Sequence, residues 1–193
     1  MSSIHNKNYI NVTYKGKKSS YPEKFCKHLF DKKFIKTSKI LDLGCGNGEF
    51  TEEISKLGFE TFGVDINPPK GKKYKKADLV FDKAPWPDNT FDVIFTKSVI
   101  EHFRNPDILI NEAYRLLKPE GVLICMTPSW KHSYKEQFYI DHTHYTPFTR
   151  HSLETICELS NFKNIDCDYF YQLPFLWKFP ILHVLRTMLN MLQ

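Results

Sequence analysis

Three stretches concentrate residue types that can do chemistry. In KILDLGCGNGEF, residues 39–50, three glycines at alternate positions (Gly44, Gly46, Gly48) follow an apolar run, and such a turn lets the backbone approach a nucleotide closely. The same turn carries a carboxylate, Asp42. In SVIEHF, Glu101 and His102 stand side by side. In IDHTHYTPFTR, residues 140–150, Asp141, His142, His144 and Tyr145 are dense in proton-handling groups, and Pro147 stiffens the chain. Thr143, Thr146 and Thr149 are natural hydrogen-bond partners or caps within that loop. His142 and His144 alternate along an extended segment and share a side, but they supply only two ligands, and no metal is expected.

These groups need a scaffold, and the hydrophobic pattern predicts one. YPEKFCKHLFDKKF has an early proline and apolar residues at helical spacing. A strand KILDL, a helix EFTEEISKLG closed by Gly58, and strands ETFGVDI, ADLVF and FDVIFT follow. NPDILINEAYRLLKPEG carries the strongest helix signals, with Asn105 as cap and Pro106 in the first turn. GVLICMT reads as a fifth strand, TRHSLETICELS as a helix and NIDCDYFYQ as a sixth strand. Strands alternating with helices imply an α/β fold with a doubly wound, mostly parallel sheet. Ligands of such sheets bind beyond the carboxyl ends of the strands, which is where the glycine turn falls.

Asp65 ends the second strand, 21 residues past Gly44, at a spacing that suits a carboxylate receiving ribose hydroxyls. A dinucleotide fits poorly. The glycine spacing is GxGxG rather than GxGxxG, and Asp42 would face a pyrophosphate. Like unit charges at about 4 Å repel by roughly 4 kcal/mol at an effective dielectric near 20. A cofactor with ribose and adenine but a positive group in place of phosphate suits the turn better, and S-adenosylmethionine has that character.

LDLGCGNG, GVDI, ADL, FDVIF, EH and LLKPEGVLI resemble, in order and spacing, the class I S-adenosylmethionine-dependent methyltransferases, over roughly residues 20–170. The match is to the small-molecule branch that includes ubiquinone-type and sugar or glycan O-methyltransferases. The resemblance implies a Rossmann-like sheet with S-adenosyl-L-methionine as cofactor and S-adenosyl-L-homocysteine as product. It implies that Asp42, Gly44 and Gly46 line the methionine end, that Asp65 and Ile66 hold the ribose and adenine, and that Asp78 and Leu79 meet the adenine edge. Lys97 and Ser98 would flank the sulfonium. For Asp42 and Asp78 the alternative is a strand-end carboxylate that caps a neighbouring helix. Related quinone O-methyltransferases carry an acidic residue three positions before the Glu of EH and are associated with a divalent metal; that position here is Ser98.

Methyl transfer requires acceptor and methyl at about 3–3.5 Å in line, and a base where the acceptor is a weakly acidic hydroxyl. His144 is the expected base, with Asp141 as orienting partner. His102 is equally a catalytic group or a ring packed behind the cofactor. Trp130, Tyr134, Phe138 and Tyr139 form either the acceptor's platform or the lid's own core. The function expected is O-methylation of a small-molecule or saccharide hydroxyl, with a quinone precursor or other lipid-soluble phenol as the alternative. A nucleic-acid-binding module with an idle methyltransferase fold is a third.

The ends of the chain are less regular. Residues 1–20 lack periodicity and read as a flexible basic arm ahead of a domain over 21–172. Residues 1–39 hold ten lysines against Glu23 and Asp31 and no arginine, within a net charge of +5. Nucleic-acid readers favour arginine forks, so a solvated arm is expected and nucleic acid is not. The GKKYKK run at 71–76 reads as a solvated loop beside the adenine edge that could attract an anionic substrate. Residues 173–193 are apolar and are expected to be helical, where family members finish with an antiparallel hairpin. Either the last strand is missing or altered, or the chain is part of a larger protein. That segment is expected to pack on its own domain, with membrane-surface contact or homodimerisation as alternatives to a monomer. Five cysteines without CxxC spacing, and no apolar export signal, suggest a reducing, cytoplasmic setting.

Overall fold

The computed structural model describes residues 19–172, apart from 32 and 135, together with 174 and 177. Nearly all of the expected arm and most of the apolar C-terminal segment lie outside the described residues. The described chain forms α1 (Tyr21–Phe30), β1 (Lys39–Leu43), α2 (Glu49–Lys56), β2 (Glu60–Asp65), β3 (Tyr74–Lys76) and β4 (Phe91–Lys97). A 3₁₀ turn (Ile100–His102), α3 (Asp107–Leu116), β5 (Leu117–Met126), a short α4 (Trp130–Ser133) and α5 (Arg150–Leu159) follow. The five strands make one parallel sheet in the order β3-β2-β1-β4-β5. The chain thus winds outward from β1 in both directions, and the crevice at the reversal lies between β1 and β4.

Both faces of the sheet are covered. Phe25, Cys26 and Phe30 of α1 and Ile54 of α2 bury against Ile40, Val93 and Phe95 on one face. Leu109, Ile110, Ala113 and Leu116 of α3 cover Leu41, Leu43, Phe91 and Ile94 on the other. β1 is correspondingly apolar on both sides, as a central parallel strand must be. Phe95 is fully buried and its ring lies 6.0, 5.7 and 5.7 Å from those of Phe25, Phe30 and Phe50.

The local signals hold in several places. Thr149 caps α5, accepting from the Ser152 N–H at 3.1 Å within a capping box. Asn105 does not cap α3 through its side chain. Pro106 precedes the helix, and the Asn105 carbonyl accepts from the Ile108 N–H at 3.4 Å.

Two expected strands are corrected. The third strand is Tyr74–Lys76 and not ADLVF. Asp78 accepts the Val80 N–H on its own carboxylate at 3.1 Å and the Phe81 N–H on its carbonyl at 2.9 Å, so those donors close a turn instead of joining a ladder. The sixth strand expected at NIDCDYFYQ is not formed among the described residues. Its side chains are drawn to separate places: Ile165 to the α3 side, Tyr169 against His132 at 4.8 Å, and Phe170 against Phe25 at 5.6 Å. β5 therefore pairs only with β4 among the described residues, and a cavity of about 730 Å³ runs along its outer edge between Val122, Leu123 and Cys125 and the segment carrying Phe162 and Ile165.

Replacing Phe95 by Ala should cost about 3–5 kcal/mol in urea-induced unfolding, because three aromatic rings lose their common contact. A cost below about 1 kcal/mol would mean that this cluster does not secure the β4 end of the cleft.

Candidate functional site

Each strand delivers its candidate residues to the same end of the sheet. Asp42 lies near the end of β1, Asp65 ends β2, Asp78 and Leu79 follow β3, and Lys97 ends β4 with Ser98 after it. The glycine turn is tied to β2: the Gly44 and Cys45 N–H groups both donate to the Val64 carbonyl at 2.9 Å, and the Gly46 N–H donates to Asp65 Oδ2 at 3.0 Å. Asp65 Oδ1 also takes the Asn67 N–H at 2.9 Å. Ile66 and Asp78 are half-buried beside it, and Leu79 is buried in the core.

The glycines serve different ends. Gly44, at φ +84, would place a Cβ only 2.5 Å from Val99 Cγ2, so its bareness admits the loop after β4. Gly46, at φ +50, would meet nothing within 4 Å, which leaves open space above the turn for a ligand. Ser98 holds φ +56, a left-handed conformation uncommon for a serine, with its N–H donating to the Met126 carbonyl at 2.8 Å. Strain stored at that point is an observed outlier beside the crevice.

Asp42 is buried, and the Thr51 hydroxyl donates to its Oδ2 at 2.6 Å. It ties the first turn of α2 to β1 through the Thr51 side chain. Burial pushes its carboxyl up to about 7, helped by the charge of Asp65 and opposed by the Thr51 bond.

Across the crevice, the 3₁₀ turn after β4 meets the 141–148 loop. The Glu101 carbonyl accepts from Tyr145 N–H at 2.8 Å and Thr146 N–H at 3.1 Å, which seats the loop. Glu101 itself is fully buried. Its Oε2 accepts from the Thr127 hydroxyl at 2.9 Å, whereas its Oε1 has no hydrogen-bond partner. Burial pushes the carboxyl up to about 7.

Two imidazoles complete the cluster, with ring centroids 4.7 Å apart. His144 Nδ1 faces the Phe138 carbonyl at 2.6 Å; a carbonyl only accepts, so Nδ1 carries the hydrogen. Its Nε2 then presents a lone pair in the neutral ring, 3.9 Å from Glu101 Oε1 and 3.8 Å from Asp141 Oδ2. His102 Nδ1 lies 2.8 Å from Thr143 Oγ1, whose own proton goes to Asp141 Oδ1 at 2.6 Å, so His102 Nδ1 is likewise the protonated nitrogen. Asp141 thus orients His102 through Thr143 as well as standing beside His144.

The expected trio His102, Asp141 and His144 is brought together; His142 is exposed. Glu101 was legible only as a neighbour of His102, although a carboxylate between Ile100 and Phe103 is itself a signal of a buried polar role. Thr127 and Val99 carried no such signal, and Thr143 was legible only as a hydrogen-bonding loop residue. Of the lid aromatics, Phe138 is buried with Trp130 against it at 5.7 Å, so these two form the lid's core. Tyr134 and Tyr139 are exposed and remain available to an acceptor.

Glu101, His102 and His144 each offer one ligand atom, all within 4.8 Å of one another. One carboxylate and two imidazoles suit a divalent first-row ion, and the unpartnered Glu101 Oε1 is the kind of buried atom such an ion would satisfy. Bonds of about 2.0–2.2 Å place ligand atoms roughly 3.0–3.4 Å apart, so the widest separation in the group would have to close by about an ångström or more. The sequence expectation of no metal turned on Ser98 and did not weigh His144 as a third ligand with these two.

The profile of a methyltransferase domain matches residues 15–166. The chain belongs to that methyltransferase domain family. It is 33% identical over 134 residues to a ubiquinone biosynthesis O-methyltransferase of Pelagibacter ubique, covering 64% of this chain and 55% of that protein. It thus spans about half the length of the curated relatives it matches. The fold is similar to a SAM-dependent methyltransferase from Archaeoglobus fulgidus, with a TM-score of 0.71 and 26% identity over 86% of this chain and 79% of that one. It is also similar to a Haemonchus contortus phosphoethanolamine N-methyltransferase solved with S-adenosylhomocysteine, with a TM-score of 0.55 and 25% identity over 69% of this chain and 35% of that one. The methyltransferase family accounts for the strand order, the glycine turn and the open space above Gly46.

A carboxyl that keeps its proton to about pH 7 in the fold, against about 3.9 when unfolded, lets the native state bind more protons than the unfolded one between those values. Its contribution to stability therefore falls as pH rises through that window. Relative to Asp42→Asn, which keeps the Thr51 bond, the parent protein should lose on the order of 2–4 kcal/mol between pH 4.5 and 8 in urea titrations. Parallel pH responses of the two proteins would show that Asp42 ionises normally.

Proposed function

We propose that this domain, over residues 21–172, is an S-adenosylmethionine-dependent O-methyltransferase acting on a small-molecule hydroxyl. The observation that carries the proposal is the Nε2 lone pair of His144, fixed by the Phe138 carbonyl and flanked by Glu101 and Asp141 beside the crevice. Gly44, Gly46, Asp42, Asp65, Ile66, Asp78 and Leu79 would hold the donor, with Ser98 near the sulfonium. When bound there, the donor supplies a methyl carbon activated by the sulfonium.

The chain's own contribution is alignment, exclusion of water and a place for one proton. The acceptor oxygen attacks the methyl carbon while the carbon–sulfur bond breaks, and the hydroxyl proton passes to His144 Nε2. The resulting imidazolium is stabilised by the carboxylates 3.8 and 3.9 Å away. His102 and Thr143 hold Asp141 in place. A divalent ion held by Glu101, His102 and His144 would take the Nε2 lone pair, and would then replace the imidazole as the activating group by lowering the pKa of a coordinated hydroxyl.

Similarity to ubiquinone O-methyltransferases supports a phenolic or quinone-precursor acceptor. A saccharide hydroxyl is the second reading, supported by the exposed rings of Tyr134 and Tyr139, on which a sugar can stack. Five free cysteines are consistent with a reducing, cytoplasmic setting.

Adenosylhomocysteine release with a panel of catechols and sugars tests the activity and separates the two acceptors. His144→Gln should lower kcat by roughly 10²- to 10⁴-fold while adenosylhomocysteine affinity stays within about twofold. Glu101→Gln should also lower kcat. Undiminished kcat in His144→Gln would remove the proton-acceptor role.

A further inference from the structure

Lys97 ends β4 between the first turns of α1 and α2. Its Nζ lies 5.4 Å from the Phe50 ring centroid and 6.0 Å from that of Tyr21. The residue is half-buried, and among the described residues its ammonium makes no hydrogen bond and no ion pair. Two aromatic faces compensate such a charge only in part. Tyr21 supplies no anion, because burial pushes its phenol up to about 12 and its hydroxyl donates to Gln172 Oε1 at 2.8 Å. Glu101 acts on Lys97 through space but forms no ion pair with it. A partly desolvated ammonium without a counter-ion is costly, and the missing partner is an anion.

The position limits what that anion is. The family resemblance placed Lys97 beside the sulfonium, but a second cation there would repel it. The Nζ is instead aimed toward Phe50, at the start of the helix that follows the glycine turn. We propose that Lys97 is an anion subsite of the cleft, where its ammonium pairs with a ligand carboxylate. That carboxylate belongs either to the methionine tail of the donor or to an acid group on the acceptor. The proposal deepens the methyltransferase reading and rests on it for the ligands.

The test compares ligands that differ by one carboxylate, by calorimetry on the full chain. The first pair is S-adenosylhomocysteine and its decarboxylated analogue. The second, on protein loaded with S-adenosylhomocysteine, is 3,4-dihydroxybenzoate and catechol. In one pair the parent protein should favour the carboxylate-bearing member tenfold or more. Lys97→Met should erase that preference and leave the carboxylate-free member within about twofold. Lys97→Arg should keep it. The first pair responding identifies the donor tail, and the second identifies the acceptor. Less than twofold discrimination by the parent protein in both pairs overturns the subsite, as does a preference that survives in Lys97→Met. Failure of the parent protein to bind either adenosyl compound removes the methyltransferase reading itself, and the subsite with it.

Discussion

The structure turns on one buried carboxylate. Glu101 is sealed from solvent, and every group it touches belongs to a different part of the chain. Its carbonyl takes two backbone donors from the 141–148 loop, its Oε2 takes the Thr127 hydroxyl from the end of β5, and its Oε1 is left toward His144. An unpaired buried oxygen costs about 1–3 kcal/mol, and a protein stable by only 5–15 kcal/mol retains few such groups without a use. The loop that carries His144 is therefore docked by the same residue whose Oε1 has no hydrogen-bond partner.

The second constraint is steric. Gly44 on the β1 turn and Val99 after β4 occupy one small space, and only a glycine lets them share it. This contact sets the width of the crevice at the reversal in strand order. Ser98, one residue earlier, takes a left-handed backbone to make the turn. The third glycine has a structural explanation too: a Cβ at Gly48 would meet the Tyr74 hydroxyl at 2.5 Å. A sequence pattern read as a ligand cradle is thus partly a packing requirement, with Gly46 the member that opens to the cleft.

Much of this was legible in the residues. β1, β2 and β4 were readable as apolar runs, α5 from Thr149, and the shared end of the sheet from alternation alone. What failed were decisions made by tertiary contacts. The run ADLVF has the composition of a strand, but Asp78 captures its backbone donors; TyrLysLys, poor in β-formers by pattern, pairs with β2 because the sheet edge is there to receive it. The NIDCDYFYQ segment alternates well enough for a strand, yet its aromatic residues find partners on His132 and on α1. At the site, His102, Asp141 and His144 could be named because histidines near a strand end are conspicuous. Thr143 could be named as a hydrogen-bonding member of the loop, but only the fold shows it joining Asp141 to His102.

The charges of the cleft are held in a responsive state. Asp42 on the β1 side and Glu101 on the β4 side are both pushed up to about 7 by burial, so near neutral pH either carboxyl gains or loses its proton at little cost. An empty cleft can keep these protons and avoid two buried charges. A cation arriving near Asp42, or a proton or metal ion arriving at the imidazoles beside Glu101, draws out the charge that stabilises it. Lys97 stands apart from both, beyond ion-pair distance and backed by rings. The titratable carboxyls thus sit beside the glycine turn and beside the imidazoles, and the Lys97 ammonium sits over Phe50 at the start of α2.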